Sequence, residues 1–221
     1  MKNKKLMVSI ISLALVAVVG IGGTLAYLST RTNDKTNTFT MGTGISGNLS
    51  EPGWDEEGHE QADHFTPGRV ITKDPRINNT SPEGTDNAYV AVKLTYTGDV
   101  TSAAEIEQFA EIDWNTEDWE FNGDHTVAIY KHESVAGTPT ETLFNKVTIS
   151  NLALTADQIK SAYSTNVQFT KELYPDGNWA DYEMKNFDIN LQGYLVQTEG
   201  FDSALDAVTT AFPEEFIVGA N

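Results

Sequence analysis

Residues 88–98 constrain the fold more than any other stretch of the chain. Val90, Val92, Leu94 and Tyr96 alternate there with Ala91, Lys93, Thr95 and Thr97. A period of two is that of a strand with one face turned to a core, and it is incompatible with a helix. Similar runs follow at 127–130, 143–149 and 167–173. At 187–196, Phe187, Ile189 and Leu191 alternate with Asp188, Asn190 and Gln192, and Gly193 is expected to mark a bulge before Tyr194, Leu195 and Val196. Residues 69–79 carry Val70, Ile71 and Ile77 around a Lys73-Asp74-Pro75 break, which suits a strand whose proline sits at an edge or bulge.

Three capping patterns interrupt the strands. Ser102 with Glu105 predicts a short helix running to about Ile112, with Ile106, Phe109 and Ala110 on one face. Thr155 with Gln158 predicts a second, containing Ile159, Ala162 and Tyr163. Ser203 with Asp206 predicts a third, in which Ala204, Leu205, Val208 and Phe212 cover one end of a sheet before Pro213. Residues 48–68 hold prolines, glycines and many acids and read as an exposed loop. Short strands, turn-rich connections and small helices predict an all-β fold, a two-sheet antiparallel sandwich occupying residues 49–221.

The N-terminus is of another kind. Lys2, Lys4 and Lys5 precede an almost unbroken apolar run to Ile21, Gly22 and Gly23 break any helix, and Thr24 and Ala26 are small. This is a secretory signal with cleavage expected after Ala26, so that the mature chain begins at Tyr27. The rival reading is a retained anchor of about 20 residues, against which the glycines and the small-residue exit argue. The segment 27–48 is polar and threonine-rich, with strand propensity but little to bury. It reads either as a loose terminus or as a strand that pairs where another sheet edge is available.

The chain has 32 acidic and 14 basic residues and a formal charge of −18, which becomes −21 when the signal removes three lysines and no acid. Such a surface excludes nucleic acid and anionic membranes as partners, leaving membrane contact to the uncleaved signal. No cysteine is present, which excludes thiol catalysis and cysteine metal sites. The pattern HEQADH resembles a zinc-peptidase motif, but His59 and His64 are five apart rather than four. Asp55, Glu56, Glu57 and Asp63 are candidate ligands for a divalent ion such as calcium, against a plain solvated acidic loop; no other cofactor is expected. His125 and His132 bracket a strand and provide no three-histidine site. Trp114 and Trp119 suit core packing better than a sugar-stacking platform, whereas Trp54 and Trp179 lie in loops where an exposed ring could serve. No catalytic residue is assigned and no enzyme activity is expected.

The junction GGTLAYLS, the NTFTMGTG that follows, TPGRVITKDPRINNTS with AYVAVKLTYTG, and the tail GYLVQTEGFDSALDAVTTAF resemble, in order and spacing, the TasA and camelysin family. The resemblance is greatest to its BsaA-type biofilm matrix proteins. It implies export from a Gram-positive bacterium, signal removal by a SipW-type peptidase, a jelly-roll sandwich, and self-assembly into extracellular fibres. It further implies that the N-terminal segment is donated as a strand to a neighbouring subunit. Leu28, Thr30, Thr32, Thr36, Thr38, Phe39 and Met41 are then the donor residues, with Leu28, Phe39 and Met41 filling pockets. Other matrix proteins or polysaccharide are further expected partners. The alternatives are a monomeric adhesin or carbohydrate-binding module and, since some camelysin relatives are described as such, a metallopeptidase.

Overall fold

A computed structural model describes residues 29–31, 44–159 and 179–216. The signal segment with Ala26 and Tyr27, the donor positions Leu28, Thr32, Thr36, Thr38, Phe39 and Met41, and the strand expected at 167–173 lie outside the described residues.

The alternating stretch forms β5 (Ala88–Gly98), which pairs antiparallel along its whole length with β10 (Phe187–Gln197). β8 (Val127–Tyr130) and then β7 (Trp119–Phe121) extend the sheet on one side, and β1 (Ser29–Arg31) pairs with β10 on the other, giving the order β1-β10-β5-β8-β7. Two smaller antiparallel sheets complete the fold. One pairs β2 (Gly47–Ser50) with β4 (Arg76–Asn79); the other orders β3 (Val70–Thr72), β9 (Lys146–Ile149) and β6 (Ala110–Ile112) as β3-β9-β6.

The architecture is sandwich-like because the inward residues of β5 and β10, among them Val92, Leu94 and Leu191, share one core with Leu49, Ile71, Ile77, Ile112 and Val147 from the smaller sheets. Trp119 is the largest fully buried side chain, donating its indole N–H to the Glu141 carbonyl at 3.1 Å with its ring 4.8 Å from Tyr130. Ile45 is also in this core, so the packed body begins within the segment assigned to the N-terminal strand.

The helices are short. After a π-helical turn (Trp54–Gly58) comes α1 (His59–Ala62). α2 (Ala103–Ile106) begins with Ser102 accepting the Glu105 amide at 3.3 Å, while the Thr101 amide bonds the Glu105 carboxylate at 2.6 Å and holds it below the usual carboxylate range. Thr155 and Gln158 cap a turn at 156–159 reciprocally. α3 (Ala204–Ala211) is capped by Ser203 and is followed by α4 (Pro213–Phe216). Ala207 and Val208 cover Ala91, Tyr194 and Val196 on the outer face of the large sheet, and Phe212 and Phe216 meet the Tyr194 ring edge-on at 4.9 and 4.8 Å.

Four expectations are corrected. Residues 48–68 are not a plain loop: β2, the π turn and α1 lie there, anchored by the Gly53 and Trp54 amides on Asp74 and by the Thr72 amide on Gln61. Gly58 permits this close approach, since a Cβ there would collide with the Thr72 carbonyl. The helix after Ser102 stops at Ile106 because Ala110–Ile112 is taken by β6. The strand expected from 143 begins only at Lys146. Gly193 makes no bulge, standing opposite Val92 in unbroken register.

Replacing Trp119 by Ala is expected to cost about 3–5 kcal/mol, the usual range for a buried aromatic. Leu205→Ala, at a side chain 58 % exposed, should stay within roughly 0.5 kcal/mol. Urea unfolding of both variants measures the contrast.

Candidate functional site

An opening into the core runs between the large sheet and the smaller ones. Its volume is about 390 Å³. One wall is the 187–191 half of β10; the other is Leu49 of β2, Ile71 and Lys73 at β3, and Val147 of β9, and Trp54, His59 and Phe65 complete the lining. The lining is chiefly apolar. Gly47 of β2 packs closely on the large sheet, where a Cβ would lie 2.7 Å from a methyl of Leu195 and 2.9 Å from the Asn78 carbonyl.

One charged pair stands in this lining. Lys73 Nζ bonds Glu51 Oε1 at 2.8 Å, with both side chains about nine-tenths buried, and the ammonium lies 4.4 Å from the centre of the Trp54 ring. The face of an indole and a carboxylate together compensate an ammonium taken from water. The Trp54 ring also packs against His59, 4.4 Å between centroids. Next in sequence, Asp74 accepts the Gly53 amide at 2.7 Å and pairs with Arg76 at 2.8 Å, which fixes the turn between β3 and β4.

The strand edge beside the groove is the second feature. β1 pairs with β10 only at its far end: Ser29, Thr30 and Arg31 stand opposite Val196, Leu195 and Tyr194. Among the described residues, no strand pairs with that edge of β10 from 187 to 191. Of the expected donor residues, only Thr30 is described, its backbone opposite Leu195 of the same chain.

The remaining candidates separate. Asp55, Glu56 and Glu57 lie in the π turn, where Glu57 accepts the Thr72 hydroxyl at 2.8 Å, and Asp63 pairs with His64. No three His, Asp or Glu side chains among the described residues form a group able to hold a metal ion. Trp114 stacks on His125 at 4.6 Å and donates to Glu107 at 3.0 Å. Beneath this cluster the Tyr96 hydroxyl donates to the His125 carbonyl at 2.6 Å, and burial, with Glu107 and Asp124 nearby, raises its pKa well above the usual phenolic value. Asp118 is held below its usual range chiefly by the Asn115 amide and then by His132. Trp54 is half-buried and packed rather than free, and the side chain of Trp179 lies outside the described residues.

Sequence reasoning missed the groove because its walls come from five separated segments. It also treated Lys73 and Asp74 only as a break between strands. The signal that could have found them is a lysine and an aspartate beside Pro75, between two apolar runs, where surface charge would not be needed.

Lys73→Met alone leaves the Glu51 carboxylate buried without its partner and is expected to destabilise the fold by about 3–5 kcal/mol. Combining it with Glu51→Gln should recover most of the loss, a coupling read from a double-mutant cycle in urea.

No protein-family model, curated protein or solved structure matched this chain.

Proposed function

We propose that this is an exported structural protein that polymerises into extracellular matrix fibres by passing its N-terminal strand to the next subunit, on a sandwich of jelly-roll topology. The observation that carries the reading is the placing of β1: it pairs with the end of β10 and runs toward an apolar groove beside an edge that no described strand occupies. An unpaired strand edge is a liability in a sandwich, and an added strand removes it.

Chain length favours a second copy as the source of that strand. β1 is antiparallel to β10, so the chain leaves Arg31 toward Phe187, yet it returns at Gly44, which borders a hollow with Gln197 at the opposite end of β10. In this register residue 38 would stand opposite Phe187. The six residues from there to Gly44 reach at most about 22 Å. Strand residues 187–197 span roughly 34 Å. A loop closed on its own body therefore cannot fill the groove to its end, whereas a strand arriving from a neighbour carries no such constraint.

In this reading 1–26 is the export signal, a SipW-type peptidase exposes Tyr27, and the protein belongs among the TasA-like matrix proteins of a Gram-positive bacterium. Subunits this acidic repel one another at low ionic strength, so assembly strengthens with salt.

The chain beginning at Tyr27 should form filaments in negative-stain microscopy at high salt, and a chain beginning at Gly42 should remain a folded monomer. Filaments formed equally well by the shorter chain would overturn the reading. Intact mass of the secreted protein should correspond to a start at Tyr27; a mass retaining residues 1–26 would replace export and cleavage with membrane anchoring.

A further inference from the structure

The Lys73–Glu51 pair leaves hydrogen-bonding capacity unused inside an apolar cavity. One carboxylate oxygen of Glu51 and one of the three ammonium hydrogens of Lys73 engage each other at 2.8 Å. The indole face of Trp54, 4.4 Å from the ammonium, attracts its charge without accepting a conventional hydrogen bond. Among the described residues, no donor meets the second carboxylate oxygen and no second acceptor meets the ammonium. Both side chains are about nine-tenths buried, and both line the cavity. Asp188 and Asn190, also in the lining, bond Thr97 instead.

A buried ion pair seldom stabilises a fold more than apolar residues of the same volume. Stability alone therefore does not account for one here. Apolar walls with a few convergent polar groups are the composition of a small-molecule site, and about 390 Å³ lies within the roughly 300–1,000 Å³ such sites occupy.

The unused groups decide which head group fits. An acceptor and donors stand side by side, so the complement is a group that donates and accepts through neighbouring atoms. It must also be neutral. A ligand carboxylate would compete with Glu51 for the ammonium, and a ligand ammonium would compete with Lys73 for the carboxylate; either leaves one buried charge without its partner.

We propose that this cavity binds a neutral amphiphile, an apolar chain ending in a group such as a primary amide. The amide carbonyl accepts from Lys73 Nζ, its N–H donates to the second oxygen of Glu51, and the chain lies against Leu49, Ile71, Val147, Ile189 and Leu191. The inference goes beyond strand donation and does not depend on it, since every group named belongs to a single chain.

Three probes with one tail separate the head groups: octanamide, octanoate and octylammonium, titrated calorimetrically into the chain beginning at Tyr27 at low ionic strength. Octanamide should bind about tenfold tighter than either ion, the loss expected where a hydrogen bond to a charged group cannot form. Lys73→Met together with Glu51→Leu should bring the three affinities to within about threefold of one another. Ile189→Phe, which fills the cavity while leaving the pair in place, should weaken octanamide about tenfold, with urea unfolding confirming that both variants fold. Equal affinities for the three probes, no binding of octanamide, or a preference that survives loss of the ion pair overturns the inference. Filament formation at high salt is read separately, so that either conclusion can fail while the other stands.

Discussion

The pairing of β5 with β10 is the constraint on which the other elements depend. Eleven residues of each strand run side by side without a bulge, from Ala88 opposite Gln197 to Gly98 opposite Phe187. An unbroken period of two assigns every side chain of both strands to a face. One face supplies the core with Val90, Val92, Leu94, Leu191 and Leu195; the other offers Ala91, Tyr194 and Val196 to α3. A slip of one residue would exchange these two sets and expose both clusters. Gly193 fits this pairing as a residue without a side chain in the middle of a strand, since a bulge there would put Tyr194 on the wrong face.

The second determinant is the Lys73-Asp74-Pro75 break. Instead of marking an edge of one strand, it moves the chain from the sheet containing β3 to the one containing β4. Asp74 organises the crossing: its carboxylate takes amides from Gly53 and Trp54 and the Arg76 guanidinium. Those bonds tie the 51–62 arm to the mouth of the groove. Lys73, one residue earlier, turns the other way to meet Glu51 and Trp54. Adjacent residues on an extended chain face opposite sides, so one dipeptide both builds the turn and furnishes the groove with its cation.

Elements governed by neighbouring residues were legible in the sequence. The alternation at 88–98, the strand Val127–Tyr130 and the caps at Ser102, Thr155 and Ser203 all depend on interactions within a few positions. What was not legible depends on distant partners. The helix after Ser102 has the apolar spacing to continue, but β9 captures Ala110 and Ile112 as strand partners opposite Ile149 and Val147. The acidic stretch near Trp54 has a loop's composition, yet Asp74 and Thr72 give its amides and side chains partners that local sequence does not contain. The groove is of the same kind, since no window of sequence brings Leu49, Ile71, Val147 and Ile189 together.

Edge design bears on why assembly would be ordered rather than indiscriminate. Among the described residues, the outer strands β2, β3, β4, β6 and β7 are three or four residues long, and β6 and β7 carry Glu111 and Glu120 at their centres. Short, charged edges give a foreign strand few hydrogen bonds and a repulsive field, which is how soluble sheets avoid random edge-to-edge pairing. β10 is different: it is long, and the side of its 187–191 half away from β5 adjoins an apolar groove. Main-chain hydrogen bonds carry no net charge, so a strand added there gains affinity without bringing two acidic bodies into face-to-face contact. For the proposed assembly, a heavily acidic surface and one long edge would be complementary features. The first would suppress association elsewhere, and the second would offer, among the described strands, a place where an extended, mostly uncharged threonine-rich segment could bind.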